Sequence, residues 1–262
     1  MGLEQKLAEL LAKQAELSAS FARRLQKSIL QQAIQGRLVP QDPNDEPASV
    51  LLQRIREEKQ KLIKNGKLKK KDLIESVIYH DDDNKYYEQV GKKISDISEE
   101  IQFEIPSSWE WCRISTLISL LSGRDLNPTQ YNSNHKGIPY ITGASNIENE
   151  DLLINRWTET PVTISHKGDL LLTCKGTIGK LAYNSIGEIH IARQIMAISS
   201  VYIYMPYLRL FICSHISEFQ KKAQSMIPGI SREAVLNAII PVPPFHEQIR
   251  IANKVEELSV YL

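Results

Sequence analysis

The fold of this chain is decided by Ile239-Ile-Pro-Val-Pro-Pro-Phe-His-Glu-Gln-Ile-Arg-Ile-Ala-Asn-Lys-Val-Glu-Glu-Leu258, where a β-branched run meets several prolines and an amphipathic helix. Pro241, Pro243 and Pro244 end the run, because proline supplies no backbone donor and restricts φ. The helix is predicted to open at Glu247. Its apolar residues recur at intervals of four, three and four, at Ile251, Val255, Leu258 and Leu262. This spacing is typical of a coiled-coil seam.

A second long amphipathic helix is predicted over residues 3–35, with Gly36 closing it as the C′ residue. Its apolar stripe begins with heptad spacing and then drifts, at Leu3, Leu7, Leu10, Leu17, Phe21, Leu25 and Ile29. Such drift is compatible with a straight or locally unwound antiparallel pair. Two helices that need partners, one on either side of a globular region, indicate a module positioned by a scaffold.

Composition is that of a folded soluble protein without a membrane anchor. The chain has 262 residues, 42% of them hydrophobic, and a formal net charge of +1. No apolar run approaches the roughly 18 residues of a membrane span, and the first residues lack the apolar core of a signal peptide. Cys112, Cys174 and Cys213 lie far apart, which indicates reduced thiols in a cytoplasmic protein. Because the net charge is only +1, a nucleic-acid role would depend on local basic patches and not on the charge of the whole chain.

Four regions are predicted along the chain. Residues 1–36 form the long helix, and residues 37–101 comprise a turn-rich loop, a short helix over 48–64 and a charged linker. Residues 102–244 form an irregular, strand-rich domain, and residues 245–262 begin the second long helix. The predicted fold class is therefore mixed α/β, with long coiled-coil helices flanking the strand-rich domain.

The linker contains a basic run and an acidic run. The basic run is Lys67, Lys69, Lys70 and Lys71, and the acidic run occupies residues 81–83. This composition favours a solvated tether. Alternatively, the lysines contact DNA phosphates, because such contacts need only charge and reach.

No catalytic constellation is found in the sequence. Val242-Pro-Pro-Phe245 lacks the leading Asn or Asp of the amine-holding loop of a DNA amino-methyltransferase, and no glycine-rich turn is suited to adenosylmethionine. The carboxylates form no metal-ligand cluster, and the glycine loop at 176–179 has too few glycines and no following Lys-Ser/Thr pair to be a P-loop. Two alternatives stay open: a self-contained methyltransferase or nuclease, and a coiled-coil module that binds another protein. A steep fall of affinity with added salt would distinguish DNA binding from the latter.

The candidate DNA-binding residues lie in glycine-containing loops of the strand-rich domain. The segment 168–180 is a buried strand that ends in a turn with Lys175, Thr177 and Lys180, whose side chains can bond phosphates. Arg193 and Gln194 follow, and these residue types fit guanine and adenine edges respectively. The alternative is an ordinary β-turn and an Arg–Gln pair that closes a strand. Three further polar loops, each with an ordinary solvated loop as its alternative, contribute Arg124, Thr142, Asn146 and Arg232.

Together these segments resemble specificity subunits of type I restriction–modification enzymes. Pro241-Val-Pro-Pro-Phe-His-Glu-Gln-Ile-Arg-Ile251 resembles the start of a conserved helix of that family, and residues 25–47 resemble the exit from such a helix. Ile105-Pro-Ser-Ser-Trp-Glu-Trp111 and the Lys-Gly-Thr-Ile-Gly and Ala-Arg-Gln elements resemble its target recognition domain. The similarity covers nearly the whole chain, and this combination in this order is specific.

The resemblance implies a target recognition domain that reads one half of a split sequence in double-stranded DNA. It also implies conserved helices that pair as an antiparallel coiled coil and set the distance between two such domains. The subunit would itself be non-catalytic and bind no cofactor. It would dock methyltransferase subunits carrying S-adenosylmethionine, and the complex would recruit an ATP- and Mg-dependent restriction subunit. Among the matched positions, the resemblance points first to Lys175, Thr177, Lys180, Arg193 and Gln194.

The sequence departs from the family's pattern in one respect. A full specificity subunit resembles two recognition domains and two helical regions in tandem, whereas this chain has one domain, one complete helix and the start of another. The chain is interpreted as a natural half-subunit, a truncated gene product or an expressed carboxy-terminal half. A half-subunit is expected to form a homodimer through its helices and to recognise a symmetric, interrupted sequence.

Overall fold

A computed structural model describes residues 3–66, 76–221 and 229–260. The helices in these ranges are α1 (Leu3–Ile34), α2 (Ala48–Lys64), α3 (Ile114–Leu117), α4 (Met205–Lys221), α5 (Arg232–Leu236) and α6 (Phe245–Ser259). The strands are β1 (Ser76–His80), β2 (Tyr86–Val90), β3 (Lys93–Asp96), β4 (Glu110–Arg113), β5 (Ser119–Ser122), β6 (Ile138–Ile141), β7 (Ile147–Glu148), β8 (Asp151–Leu152), β9 (Trp157–Thr158), β10 (Ile164–Ser165), β11 (Leu170–Thr173), β12 (Leu181–Tyr183), β13 (Ile189–Ile191), β14 (Ile195–Ser199) and β15 (Ile239–Val242). The predicted mixed α/β class is confirmed.

Helix ends follow signals in the local sequence. Gly36 has a φ of +70°, and the backbone N–H of Arg37 donates to the carbonyl of Gln32 at 2.9 Å, which closes α1 as a Schellman-type end. The hydroxyl of Ser231 accepts from the N–H of Ala234 at 3.0 Å and caps α5. The second long helix, α6, begins at Phe245, two residues before the predicted Glu247. The physical reason is that Pro244 already has extended backbone angles and sits at the N-cap.

The carboxy-terminal part of α1 packs against α4 and α6. Ile251 and Val255 of α6 are buried in the same core cluster as Ala33 and Ile34 of α1. Across a groove, Gln26, Ile29 and Leu30 face Val255 and Ser259, so that the two helices run antiparallel. The predicted seam of α6 therefore packs, in part, against a helix of its own chain.

The amino-terminal part of α1 presents its apolar stripe to solvent. Leu10 is 64% exposed, Leu17 59% and Phe21 60%, while Leu25 is 38% exposed and Ile29 is half-buried. Leu3 and Leu7 belong to the helix, but their side chains and that of Leu262 lie outside the described residues. Leu258 is half-buried. No helix in the described ranges is both long enough and apolar enough to cross a membrane.

Two motifs far apart in sequence meet at the start of α6. The carboxylate of Glu247 accepts from the indole Nε1 of Trp109 at 3.0 Å and from Nε2 of Gln41 at 2.6 Å. Nearby, Arg250 donates to Asp45 at 2.5 Å. Glu247 is fully buried, and that burial raises the pKa of its carboxyl group. The loop after α1 is thus fastened to the beginning of α6.

The strand-rich domain contains two four-stranded sheets. One has the order β12-β11-β14-β5 and is antiparallel, and the other has the order β10-β13-β6-β9 with β13 and β6 parallel. Leu170 and Leu172 of β11 face the main core with the helices, whereas Leu171 faces a second core with Ile189 and Ile191. The first sheet is therefore buried on both faces, which explains the continuous apolar run of β11.

The prediction of a charged linker is wrong for residues 76–100. These residues form an antiparallel three-stranded sheet, β1-β2-β3, followed by a short 3-10 turn. The acidic run forms the first hairpin turn, in which the N–H of Asn84 donates to Asp81 at 3.0 Å. Ile78 and Tyr86 pack against Trp111. The charged residues suggest a tether, but they lie in turns and at exposed positions, while alternate residues of β1 face the core. The basic run lies outside the described residues.

Candidate nucleic-acid interface

Strand ends from both four-stranded sheets meet at one edge of the molecule. Thr173 at the end of β11 pairs with Ile195 at the start of β14, and Met196 pairs with Ser122 at the end of β5. The second sheet joins them because the N–H of Ala192 donates to the carbonyl of Ile141 at 2.9 Å. We call the segments that extend from these ends the loop edge: residues 123–125, 142–146, 174–180 and 192–194.

The loop edge contains eight of the nine DNA-binding residues predicted from sequence: Arg124, Thr142, Asn146, Lys175, Thr177, Lys180, Arg193 and Gln194. Of these, Arg124, Lys175, Thr177, Lys180, Arg193 and Gln194 are exposed. Among the described residues, Arg124 and Lys175 have no side-chain hydrogen-bond or ion-pair partner. Four cations and one carboxylate thus share this edge in a chain whose net charge is +1.

The 174–180 loop is held by backbone contacts on two sides. Gly176 and Gly179 have φ values of +73° and +87°, a region that side chains other than glycine rarely adopt. Lys175 forms an isolated antiparallel bridge with Gly229, and the N–H of Ile230 donates to the carbonyl of Cys174 at 2.9 Å. These bonds keep the loop in place while the Lys175 and Thr177 side chains point to solvent.

The 192–194 segment is a tight turn. The N–H of Ile195 donates to the carbonyl of Ala192 at 2.9 Å, and the N–H of Cys174 donates to the carbonyl of Gln194 at 2.8 Å. Gln194 also lies against Gly143, where an added Cβ atom would collide with its Oε1. The alternative, that the Arg–Gln pair closes a strand, is correct for the backbone, yet both side chains are left exposed.

Thr142, Asn146 and Lys180 are predicted residues whose side chains make hydrogen bonds within the chain. Asn146 is fully buried, accepts at Oδ1 from the N–H and the hydroxyl of Thr142, both at 2.9 Å, and donates to the carbonyl of Leu153 at 2.7 Å. Nζ of Lys180 donates to the carbonyls of Ala144 at 3.1 Å and Ile147 at 2.7 Å. In this conformation Asn146 is closed to DNA, because its polar atoms already hold the 142–146 turn together.

Arg232 lies beside the loop edge rather than on it. It begins α5, and its guanidinium donates to the carbonyl of Leu120 in β5. Because residues 229 and 230 contact the 174–180 loop, α5 starts close to the edge. The guanidinium, however, is engaged with the sheet, so that its contact with DNA stays a prediction.

His190 is a buried residue that holds the loop edge in place, and it is not among the site residues predicted from sequence. Its side chain is fully buried, Nδ1 accepts from the backbone N–H groups of Val162 at 3.3 Å and Thr163 at 3.2 Å, and Nε2 lies 3.0 Å from the carbonyl of Arg124. Burial lowers the pKa of His190, so that the ring is neutral and Nε2 donates to Arg124. The sequence signal that identifies such a residue is a histidine inside a short apolar strand, here Ile189–Ile191.

Metal-binding and thiol chemistry are not indicated in the described ranges. No group of three or more His, Cys, Asp or Glu side chains there could hold a metal ion. Cys112, Cys174 and Cys213 are free thiols. Burial raises the pKa of Cys112 to about 12 and raises the pKa values of the other two, which disfavours reactive thiolates.

Relatives of known type match most of this chain. Two specificity subunits from Escherichia coli, those of the type I restriction enzymes EcoAI and EcoEI, are each 31% identical over 257 and 261 residues respectively. Each alignment covers 90% of this chain and 39% of the relative. The chain therefore spans about two fifths of the length of these curated relatives.

Two solved structures share the fold. The crystal structure of the HsdS subunit from Thermoanaerobacter tengcongensis has a TM-score of 0.55 at 16% identity, over 97% of this chain and 49% of that chain. A chain from a structure describing complex assembly and conformational transition of the type I R-M system has a TM-score of 0.56 at 17% identity, over 81% of this chain and 50% of that chain. At these identities the likeness concerns the fold alone.

The family described as "Type I restriction modification DNA specificity domain" matches residues 106–260. This range is more than half of the chain, and it contains both four-stranded sheets, the whole loop edge and α6. The resemblance seen in the sequence is thereby confirmed, and the chain belongs to the family of type I restriction modification DNA specificity domains.

Proposed function

We propose that this chain recognises part of a DNA sequence with its loop edge and directs a type I restriction–modification complex to that site. The observation that carries the proposal is the convergence of exposed Arg124, Lys175, Arg193 and Gln194 on one edge, next to glycine-containing loops. Long, exposed polar side chains suit the base edges in a DNA groove, and cations suit its phosphates. The names of the relatives, specificity subunits, agree with this role.

Different residues of the loop edge would carry different parts of recognition. Lys175 and Arg124 have no partner among the described side chains and would neutralise phosphates. Arg193 and Gln194 lie on the tight turn, which can enter a groove, and would contact base edges. Phosphate contacts place the module on the duplex, whereas base contacts select the sequence.

We propose further that the chain is not itself an enzyme and binds no cofactor. In the complex, methyltransferase subunits would bind S-adenosylmethionine, and a restriction subunit would use ATP and Mg²⁺. The relatives are named as specificity subunits of restriction enzymes, which supports this division of labour. The complex would act on double-stranded DNA in the cytoplasm.

The exposed stripe of α1 is proposed to pair with the same stripe of a second copy. Leu10, Leu17 and Phe21 are each about 60% exposed on one helix, and a row of large apolar side chains in water favours association. A homodimer would place two loop edges on one DNA molecule and would favour a symmetric, interrupted target.

The complete natural chain is expected to be a dimer in light scattering at micromolar concentration. Replacing both Leu17 and Phe21 by glutamate should shift it to the monomer, because like charges would then face each other across the seam. Val201, 86% exposed in a loop, offers a matched control, and Val201→Glu should stay dimeric. A stable monomer of the unaltered chain would contradict the proposal.

Replacing Arg193 by alanine is expected to weaken binding to the target duplex by about 1–3 kcal/mol, the usual worth of a bidentate arginine–guanine contact. The measurement is the affinity of the chain, assembled with its methyltransferase subunit, for target and unrelated duplexes. Binding to unrelated DNA should change much less. Arg54, which is 64% exposed on α2, provides the control, and Arg54→Ala should leave both affinities unaltered.

Lys175→Ala should give the opposite pattern, with weaker binding to every duplex and a salt slope reduced by about 1. If Arg193→Ala and Lys175→Ala both leave DNA affinity unchanged, the loop edge is not the DNA-binding surface. If affinity for DNA is independent of salt, a protein-binding role replaces the proposed one.

A further inference from the structure

We propose that Asp125 is a positioning residue for base recognition: it holds Arg193 so that the terminal amino groups of the guanidinium are presented to a guanine edge. This inference rests on the proposed function of the loop edge. Neither the sequence motifs nor the relatives point to Asp125, since an acidic residue on a DNA-facing surface opposes phosphate binding.

Asp125 grips Arg193 at two points. Its Oδ1 accepts from the backbone N–H of Arg193 at 3.1 Å, and its Oδ2 lies 2.8 Å from Nε of the same residue. The guanidinium is planar and rigid, so that this ion-pair contact at Nε restricts the orientation of the whole group. The two terminal nitrogens make no hydrogen bond within the described residues. They form the outer edge of the fork that fits O6 and N7 of guanine.

The backbone that carries Asp125 is held by hydrogen bonds to strands of both four-stranded sheets. The N–H of Gly123 donates to the carbonyl of Ile195 at 3.0 Å, and the N–H of Arg124 donates to the carbonyl of Ile191 at 3.0 Å. The carbonyl of Arg124 accepts from buried His190 at 3.0 Å. An added Cβ on Gly123 would collide with the carbonyl of Ala192, which shows how closely this segment approaches the 192–194 turn. The carboxylate is therefore carried by the sheets and not by a loose loop.

The pair is poorly placed to stabilise the fold. The side chain of Arg193 is 67% exposed and that of Asp125 is 46% exposed, and water screens an ion pair in such a position. By contrast, the Arg113–Glu88 pair links β4 to β2 and is largely shielded from water, with both side chains only 13% exposed. An exposed but doubly attached pair is better explained by orientation than by stability.

The charge of Asp125 also makes contacts of Arg193 with bases more favourable than its contacts with phosphates. Next to the carboxylate, Arg193 forms a nearly neutral pair, and a neutral pair is attracted weakly to the phosphate backbone. Its fork can still donate two hydrogen bonds to a guanine, which carries no net charge. Lys175 and Arg124 lack such a partner and remain available to phosphates. Asp125 would thus reserve Arg193 for base reading.

The test compares base preferences of four proteins: the unaltered chain, Asp125→Asn, Arg193→Ala and the double variant. Each is assembled with its methyltransferase subunit and used to select duplexes from a randomised library, which are then sequenced. Asparagine keeps an acceptor for the N–H of Arg193 but removes the charge. Asp125→Asn and Arg193→Ala are expected to relax the same single base position, each by at least about 5-fold. The double variant should be no more relaxed than Arg193→Ala.

Affinity for random duplex should stay the same or rise for Asp125→Asn, because a negative charge has been removed. The matched control is Asp96→Asn, which removes a carboxylate that is 42% exposed and paired with Lys85 in the three-stranded sheet, outside the loop edge. It should leave every base preference unchanged.

The outcomes separate this inference from the proposed function. If Arg193→Ala changes no base preference, the proposed role of the 192–194 turn fails. If Arg193→Ala relaxes one position and Asp125→Asn leaves that position unchanged, the function stands and the role of Asp125 is overturned. Equal weakening at all positions, with a lowered melting temperature, would make Asp125 a merely structural residue and would also overturn the inference.

Discussion

Replacing Arg113 by methionine is expected to lower the free energy of unfolding by about 3 kcal/mol, the lower end of the usual cost of removing one partner from a buried ion pair, because this pair is part-buried. Arg113 in β4 donates to Glu88 at 2.5 Å, to Glu100 at 2.8 Å and to the carbonyl of Asn237 at 2.6 Å. The side chains of Arg113 and Glu88 are each only 13% exposed. Methionine replaces the aliphatic stem of the side chain but leaves the largely shielded Glu88 carboxylate without this counter-ion.

Urea unfolding followed by circular dichroism measures this loss. The control is Arg54→Met, because the Arg54–Glu46 pair has a similar distance, 2.6 Å, but exposed side chains, 64% and 49%. Its expected effect is below about 1 kcal/mol. Adding Glu88→Gln to Arg113→Met should restore part of the stability, since the unpaired charge is then removed. Equal losses for Arg54→Met and Arg113→Met would contradict the prediction.

The same pair determines part of the response to acid. The hydrogen bond from Arg113 is the main cause that holds the pKa of Glu88 below its usual value of 4.5. A carboxyl group whose folded pKa is depressed stabilises the fold fully above the unfolded pKa and loses this contribution as the pH falls through the folded pKa. The stability difference between the natural chain and Arg113→Met should therefore shrink on acidification below pH 4.5.

Gly36→Ala is expected to destabilise the chain by about 2–4 kcal/mol, from two independent causes. With a φ of +70°, position 36 is left-handed, which an alanine adopts only at a cost of about 1–2 kcal/mol. In addition, the new Cβ would lie 2.6 Å from Cγ of Pro106 and 3.1 Å from Cζ2 of Trp109. The pyrrolidine ring of Pro106 and the buried indole of Trp109 can move only slightly. The end of α1 would therefore be displaced from the start of α6.

The chain provides a matched control at Gly66. Its φ is +69°, but an added Cβ would meet no atom of the described residues within 4 Å. Gly66→Ala should therefore show the conformational cost alone. The difference between the two variants, measured by urea unfolding, isolates the collision with Pro106 and Trp109. If the two alanine variants are equally stable, α1 ends without the close packing described.

Local signals predicted the helices well. The second helix has the predicted bounds, Ala48–Lys64, because Pro47 precedes it and Asn65-Gly66 follows it. The proline-stopped strand forms as β15 and pairs with β4, so that Pro241 lies opposite Trp111. These elements depend on periodicity and end signals within about ten residues, which a sequence displays directly.

The prediction failed where local composition and long-range burial disagree. Residues 76–100 look like a charged tether, but they form a three-stranded sheet with its own small core, in which Ile78 and Tyr86 pack against Trp111. Asn146 looks like a groove-facing amide, but it is fully buried and holds the turn that contains Thr142. In both cases, burial is created by residues distant in sequence, and composition does not report it.

The sequence by itself determined the long helices, their caps, the proline-stopped strand and, through the order of its motifs, the family. Only the tertiary structure decided which polar residues share the loop edge and which are used inside the chain. Asp125 and Arg193 are 68 residues apart in sequence and meet at 3.1 Å. The physical reason is that helix signals act over one or two turns, whereas a site assembled from strand ends depends on the register of two sheets.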